Sequence, residues 1–300
     1  MLSSASDSIS TAAVVGAGLM GRRLAGLMAR AGTPVTLVDI DAGVLAAGLA
    51  VAHEMAPGGE IAGSASVVDG VQGVDLVIEA IVEDLSIKQG LFAEMGVANP
   101  TAILASNSSV LPITAIAQGV DDGSRCVGTH FWNPPDLIPI VEVVRGERTS
   151  DETMERTYGF MAAMGKLPVR VERDVPGFVG NRLQHALWRE AIDLVATGVC
   201  DAQTVDLVVT NTIGLRLGQM GPIENADYVG LDLTLAIHDA VLPSINSDPF
   251  PSPHLRELVD AGELGAKTGH GFLDWPAGAR EAAAQRLVAH VSAQLDSRTT

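Results

Sequence analysis

The chain has 300 residues, 47% of them hydrophobic, and a net charge of -17. That is enough apolar material for a large buried core and suggests two domains. So acidic a balance excludes nucleic acid and anionic membrane surfaces as partners. Cys126 and Cys200 match no metal-ligand spacing and build no disulfide framework, so no metal and a reducing, cytoplasmic setting are expected. No apolar run approaches the ~20 residues that span a bilayer. The opening stretch, MLSSASDSIS, lacks both a basic start and an apolar run. It reads as a disordered lead-in, not a signal peptide.

The first predicted element is a strand, Ala12 to Val15, small and β-branched as in a buried parallel sheet. Gly16, Gly18 and Gly21 follow as G-x-G-x-x-G, and Leu19 to Ala31 continue in a helical pattern that Gly32 stops. The first glycine allows a tight turn, the second lets backbone approach a pyrophosphate, and the third lets helix and strand pack closely. The helix start then offers unpaired N–H groups and a partial positive charge to phosphate. A second strand, Val35 to Val38, ends in Asp39. A carboxylate at that place accepts from a ribose 2′-hydroxyl and repels a 2′-phosphate, so NAD is expected over NADP. Arg22 and Arg23 lie inside the helix and read as solvated surface.

Further strands are predicted at Asp75 to Glu79, Ala102 to Ala105, Arg125 to Gly128 and Ile138 to Val144, with a helix over Ser86 to Met95. A helix from Glu152 to Met164 and a strand from Pro168 to Val171 complete the alternation. The stretch ERDVPGFVGNR changes character, and long helical periodicities follow it. The expected architecture is α/β: a Rossmann-type doubly wound sheet over residues 1–174, then an all-α domain over 175–300.

Polar residues interrupt the apolar pattern where strands end. ASNSS closes one strand, and His130 stands near the end of another. Ligands bind at such strand ends in open α/β sheets. Glu142 lies within an apolar strand and needs a partner there. An imidazole held by that carboxylate would keep one nitrogen free to accept a proton, as a general base does. A plain core His–Glu pair fits the same spacing.

The chain resembles the 3-hydroxyacyl-CoA dehydrogenase superfamily over nearly its full length. The resemblance is carried by VVGAGLMG, DLVIEAIVED, ASNSS, HFWNPP with VEVV, DVPGFVGNR, MGPIENADYVGLD and GAKTGHGF. It implies that His130 is a catalytic base, that Glu142 orients it, and that Ser109 and Asn181 bond the substrate's oxygens. It implies NAD contacts from Leu19 and Met20 beside the glycines and from Ala80 and Asn107 at strand ends. Glu83 and Lys88 are implied on the nicotinamide side, and a homodimer is implied as the assembly.

Two departures bear on the substrate. Members acting on acyl-CoA carry a lysine-rich helical insertion after the ribose-binding acid, whereas Ile40 to Val74 is short and holds no lysine or arginine. GLRLGQMGP is longer than the usual run and brings in Arg216. In this the chain is similar to the branch acting on free hydroxy acids, which includes carnitine and gulonate dehydrogenases, lambda-crystallin and enzymes of hydroxymethyl-pyridine carboxylates. A guanidinium can grip a small carboxylate with two bonds, although a helix-surface salt bridge would also explain it. Arg189 reads as structural. The expectation is therefore NAD-dependent oxidation of a hydroxyl β to a carboxylate on a small non-CoA hydroxy acid. The alternatives are a true L-3-hydroxyacyl-CoA dehydrogenase and a non-catalytic NAD(H)-binding protein.

Overall fold

The computed structural model describes residues 8–298, so most of the expected lead-in lies outside the described residues. The chain folds as two compact units, Met1–Arg182 and Leu183–Thr300.

The first unit is built on one sheet. Its strands are β1 (Ala12–Val15), β2 (Val35–Val38), β3 (Ile61–Ser64), β4 (Leu76–Glu79), β5 (Ile103–Ser106), β6 (Cys126–Phe131), β7 (Ile140–Val144) and β8 (Leu167–Val171). They lie in the order β3-β2-β1-β4-β5-β6-β7-β8, parallel except where β7 runs against β6. Helices α1 (Leu19–Arg30), α2 (Ala42–Met55), α3 (Val67–Val71), α4 (Leu85–Ala98), α5 (Ile113–Ile116) and α6 (Asp151–Ala163) cover the faces.

Side chains alternate across each strand, so one strand serves two cores. Ala12 and Val14 join Leu24 and Met28 of α1, Ala52 of α2 and Met154 of α6. Ala13 and Val15 join Val71 of α3, Phe92 and Met95 of α4 and Ile113 of α5. The sheet is buried from both sides, which is why its strands read as continuous apolar runs. Strand β3 escapes sequence reading because Ile-Ala-Gly-Ser is short, small and half-exposed at the sheet edge.

The first unit extends to Arg182, past the junction expected after residue 174. Residues 175–182 stay bonded to the sheet unit. The N–H of Gly177 donates to the Val110 carbonyl at 3.3 Å, and Asn181 donates to the Ser109 carbonyl at 2.8 Å.

The second unit is helical. Helix α7 (Gly180–Ala196) leads into it, followed by α8 (Ala202–Asn211), α9 (Ile213–Leu217), α10 (Pro222–Val229), α11 (Leu231–Val241), α12 (Pro253–Asp260) and α13 (Ala279–Arg298). Among its described residues only Val205 is buried. No helix of the described residues is long and apolar enough to cross a membrane.

Candidate active site

The candidate site forms where parallel strands end. Gly16, Asp39, Ala80 and Asn107 each directly follow the last residue of β1, β2, β4 and β5. Gly16 turns the chain at a φ of 100°, and a Cβ there would come within 2.7 Å of the Ala80 carbonyl oxygen. A Cβ on Gly21 would lie 1.7 Å from the Gly16 carbonyl oxygen, so helix and turn touch at that place. Gly18 faces open space. Helix α1 starts beside it without a side-chain cap or an acid in its first turn. Its free N–H groups remain for an anion, which is what a pyrophosphate requires.

Asp39 takes the Ala17 N–H on one oxygen and the Asp41 N–H on the other, both at 2.9 Å. These bonds hold the half-buried carboxylate beside the glycine turn. Leu19 is exposed and Met20 half-buried at the helix start. Arg23 does not stand free as solvated surface: it pairs with Asp136 at 2.7 Å and pins the loop between β6 and β7.

The pairing of β6 with β7 sets His130 directly opposite Glu142. Both are buried, and His130 Nδ1 stands 2.7 Å from Glu142 Oε2. The other oxygen, Oε1, accepts the N–H groups of Val179 at 2.9 Å and Gly180 at 3.1 Å. Burial by itself would raise the Glu142 carboxyl, but the His130 bond and these two N–H groups outweigh it and hold it below the usual range. An ionised, acceptor-only carboxylate fixes the proton on Nδ1. Nε2 has no partner among the described residues and can accept a proton.

Sequence reading missed the packing that holds this pair. The rings of Trp132 and Phe178 lie 5.2 Å and 5.7 Å from the His130 ring. Phe178 is a buried residue at a φ of 50°, next to Gly177 at 76°. Two such residues in succession swing the following N–H groups onto Glu142. A Cβ on Gly180 would lie 2.3 Å from Trp132, so only glycine fits beneath the indole. The only signal in the sequence was Pro-Gly followed by Gly-Asn.

Ser109 is exposed, and its hydroxyl has no partner among the described residues. Its backbone is held from both sides: Asn181 Nδ2 donates to its carbonyl at 2.8 Å, and its N–H donates to Glu83 at 3.0 Å. Asn107 Oδ1 accepts the Phe131 N–H at 2.9 Å, tying the end of β5 to the end of β6. Lys88 departs from the expectation. Its side chain is 1% exposed and bonds Glu79 at 2.6 Å and Glu83 at 3.2 Å, so it lines no surface and lies behind Glu83. Arg216, on α9, is exposed and makes no ion pair among the described residues. The surface salt bridge that would have explained it is absent there. Among the described residues Arg189 reaches the Asp248 carbonyl, at 3.4 Å.

The glycine turn has the open side and free N–H groups that NAD's pyrophosphate needs, and an imidazole free at one nitrogen shares the unit. This is the equipment of an NAD-dependent oxidoreductase acting on hydroxyl groups, and that is the class of this protein. Residues 11–175 match the 3-hydroxyacyl-CoA dehydrogenase NAD binding domain, and residues 177–275 match the C-terminal domain. The chain belongs to the 3-hydroxyacyl-CoA dehydrogenase family.

A probable 3-hydroxybutyryl-CoA dehydrogenase of Deinococcus radiodurans is 37% identical over 86% of this chain and 98% of its own length. The 5-formyl-3-hydroxy-2-methylpyridine 4-carboxylate 5-dehydrogenase of Mesorhizobium japonicum is 34% identical over 87% of this chain and 89% of its own. A crystal structure of a dehydrogenase for that pyridine acid, described as an NAD+ dependent dismutase, superposes with a TM-score of 0.89 at 30% identity. It covers 95% of this chain and 97% of that one.

Proposed function

We propose that the protein oxidises a hydroxyl β to a carboxylate on a small free hydroxy acid, with His130 as base and Glu142 as its orienting partner. The observation that carries the chemistry is the buried pair at 2.7 Å, with Glu142 closed on its other oxygen by two N–H groups. NAD, when bound, supplies the hydride acceptor. His130 Nε2 takes the hydroxyl proton, and Glu142 stabilises the imidazolium that results. The Ser109 hydroxyl and the Asn181 side chain hold the substrate's oxygens, which fixes the carbinol for transfer.

The substrate class rests on charge. The segment from Ile40 to Val74, with Asp41, Glu54, Glu60 and Asp69 and no lysine or arginine, offers nothing to a polyanionic CoA. Arg216 is a guanidinium without an ion pair among the described residues, and we assign it to the substrate's carboxylate. The rival substrate is a 3-hydroxyacyl-CoA, favoured by the name and 37% identity of the Deinococcus relative. Turnover of a panel of free 3-hydroxy acids against their CoA thioesters, followed by NADH absorbance, separates the two. A thioester preferred over every free acid overturns the assignment.

The working form is a homodimer built through the second unit. Leu231, Leu233, Leu235 and Ile237 of α11 are 49 to 63% exposed. They leave two faces of one helix apolar and uncovered, more than the single stripe that a surface helix ordinarily carries. A second copy of the chain covers it. Free Cys126 and Cys200 fit a reducing, cytoplasmic compartment.

A further inference from the structure

Strand β4 reads Leu-Val-Ile-Glu, and its last residue is a carboxylate with no exposure at all. An apolar side chain would suit the buried strand better, because a charge taken out of water is costly unless fully partnered. Glu79 is fully partnered. Oε1 accepts the Lys88 ammonium at 2.6 Å and the Ile81 N–H at 2.7 Å, and Oε2 accepts the Ser106 hydroxyl at 2.7 Å.

Two chains of bonds run outward from it and meet on the same turn. In one, the Ser106 hydroxyl accepts the Ser108 N–H at 3.1 Å. In the other, Lys88 also pairs with Glu83 Oε2 at 3.2 Å, while Glu83 Oε1 takes the Ser108 hydroxyl at 2.5 Å and the N–H groups of Ser109 and Val110 at 3.0 and 3.1 Å. Burial by itself would raise the Glu83 carboxyl, but the Ser108 hydroxyl, the Lys88 charge and the Val110 N–H hold it below the usual range. Glu83 is the member of the triad that reaches the surface, at 36% exposure.

We propose that Glu79 is a positioning residue for the substrate-binding turn. It fixes Lys88 and Ser106 in the interior, and through them holds Glu83 aimed at the backbone of Ser108 to Val110. The turn that presents the Ser109 hydroxyl is thereby set before substrate arrives. Only the link from turn to turnover rests on the function proposed above; the order of the turn itself does not. A purely structural ion pair would end at Lys88. Here the same ammonium is shared with a second carboxylate whose remaining oxygen is spent on three groups of one turn.

The test removes the buried charges without leaving either unpaired. Glu79→Leu with Lys88→Met replaces the pair by apolar groups of similar size, a change that often leaves stability intact. Glu79→Gln, which keeps two of the three bonds, is the milder second variant. Hydrogen exchange is measured on the peptide spanning 106–111 in the full-length protein, with and without NAD+, alongside the melting temperature. The expected result is exchange at least tenfold faster in that peptide for the double variant, less for Glu79→Gln, with NADH affinity by fluorescence titration within about threefold of wild type. With the substrate that the panel identifies, kcat should fall at least tenfold, and adding Glu83→Gln should cost little more, because the three residues act as one unit. A double variant that melts like wild type with unchanged exchange overturns the proposal. If it melts lower, Glu79→Gln decides by the same exchange readout. Should His130→Gln keep full activity, the base assignment fails, and the exchange result for Glu79 still stands by itself.

Discussion

The two units are of comparable apolar character in sequence and opposite in closure. In the first, Val14, Leu24, Ile78, Phe92 and Leu104 are wholly buried, and both faces of the sheet are covered from within the unit. In the second, Val205 alone is buried among the described residues, while Ile223 and Tyr228 are 77% and 79% exposed. The first unit carries its own core and the buried His130–Glu142 pair proposed as the base. The second carries helices on which many large apolar side chains, Leu215, Leu231 and Leu235 among them, stand exposed. Catalytic order needs rigid support, which the closed unit offers to the proposed base. The open unit is the one for which association is proposed.

If chemistry belongs to the first unit, the largest effect comes from His130. His130→Gln should lower kcat about 10²- to 10⁴-fold while leaving NADH binding nearly unchanged. Glu142→Gln should lose less, because it orients and does not itself react. A His130→Gln variant retaining more than a tenth of wild-type kcat would falsify the base.

The second unit's part is tested at Arg216. Arg216→Met keeps the bulk of the stem and removes the fork, so KM for the hydroxy acid should rise roughly 10- to 150-fold, with the KM for NAD+ unchanged. Lysine should rescue part of the loss, since a point charge cannot form the planar pair. Normal kinetics in the Met variant would promote the CoA thioester reading.

Association is tested where the contrast in closure is sharpest. Leu235 is 62% exposed in the chain, so Leu235→Asp costs a monomer little. In a dimer that covers α11 it should raise the dissociation constant roughly 30-fold or more, the loss of one anchor of about 2 kcal/mol. Sedimentation across a dilution series reads this directly. The far-ultraviolet helical signal should fall with dissociation, because Val205 alone of the second unit's described residues is buried. A wild-type monomer with full helicity would break the comparison.

The smallest effect is on acid stability of the first unit. The Glu142 carboxyl is held below its ordinary value of 4.5, so its contribution is complete above that pH and is lost as pH falls through the depressed value. Melting temperature should drop more steeply below pH 4.5 in wild type than in Glu142→Gln, which has no such group to titrate. Parallel slopes would mean that Glu142 is not held as an ion.

The glycine turn, the Asp39 carboxylate and every strand but β3 were legible in the sequence, because each is a local pattern complete within some thirty residues. His130, Glu142, Ser109 and Asn181 could be named from motifs, and the pairing of His130 with Glu142 was expected, but the geometry that builds it could not be read. Only the antiparallel pairing of β6 with β7 sets His130 opposite Glu142, and only the left-handed turn at Gly177 and Phe178 delivers two N–H groups to that acid. The extension of the first unit to Arg182 follows from the same bonds. Lys88 was placed on the cofactor side by resemblance and is buried between Glu79 and Glu83, because burial is decided by what packs over a residue and not by its charge. Local patterns fix backbone conformation over a few residues; desolvation and register are properties of segments far apart in the chain, and they exist only once the tertiary structure has formed.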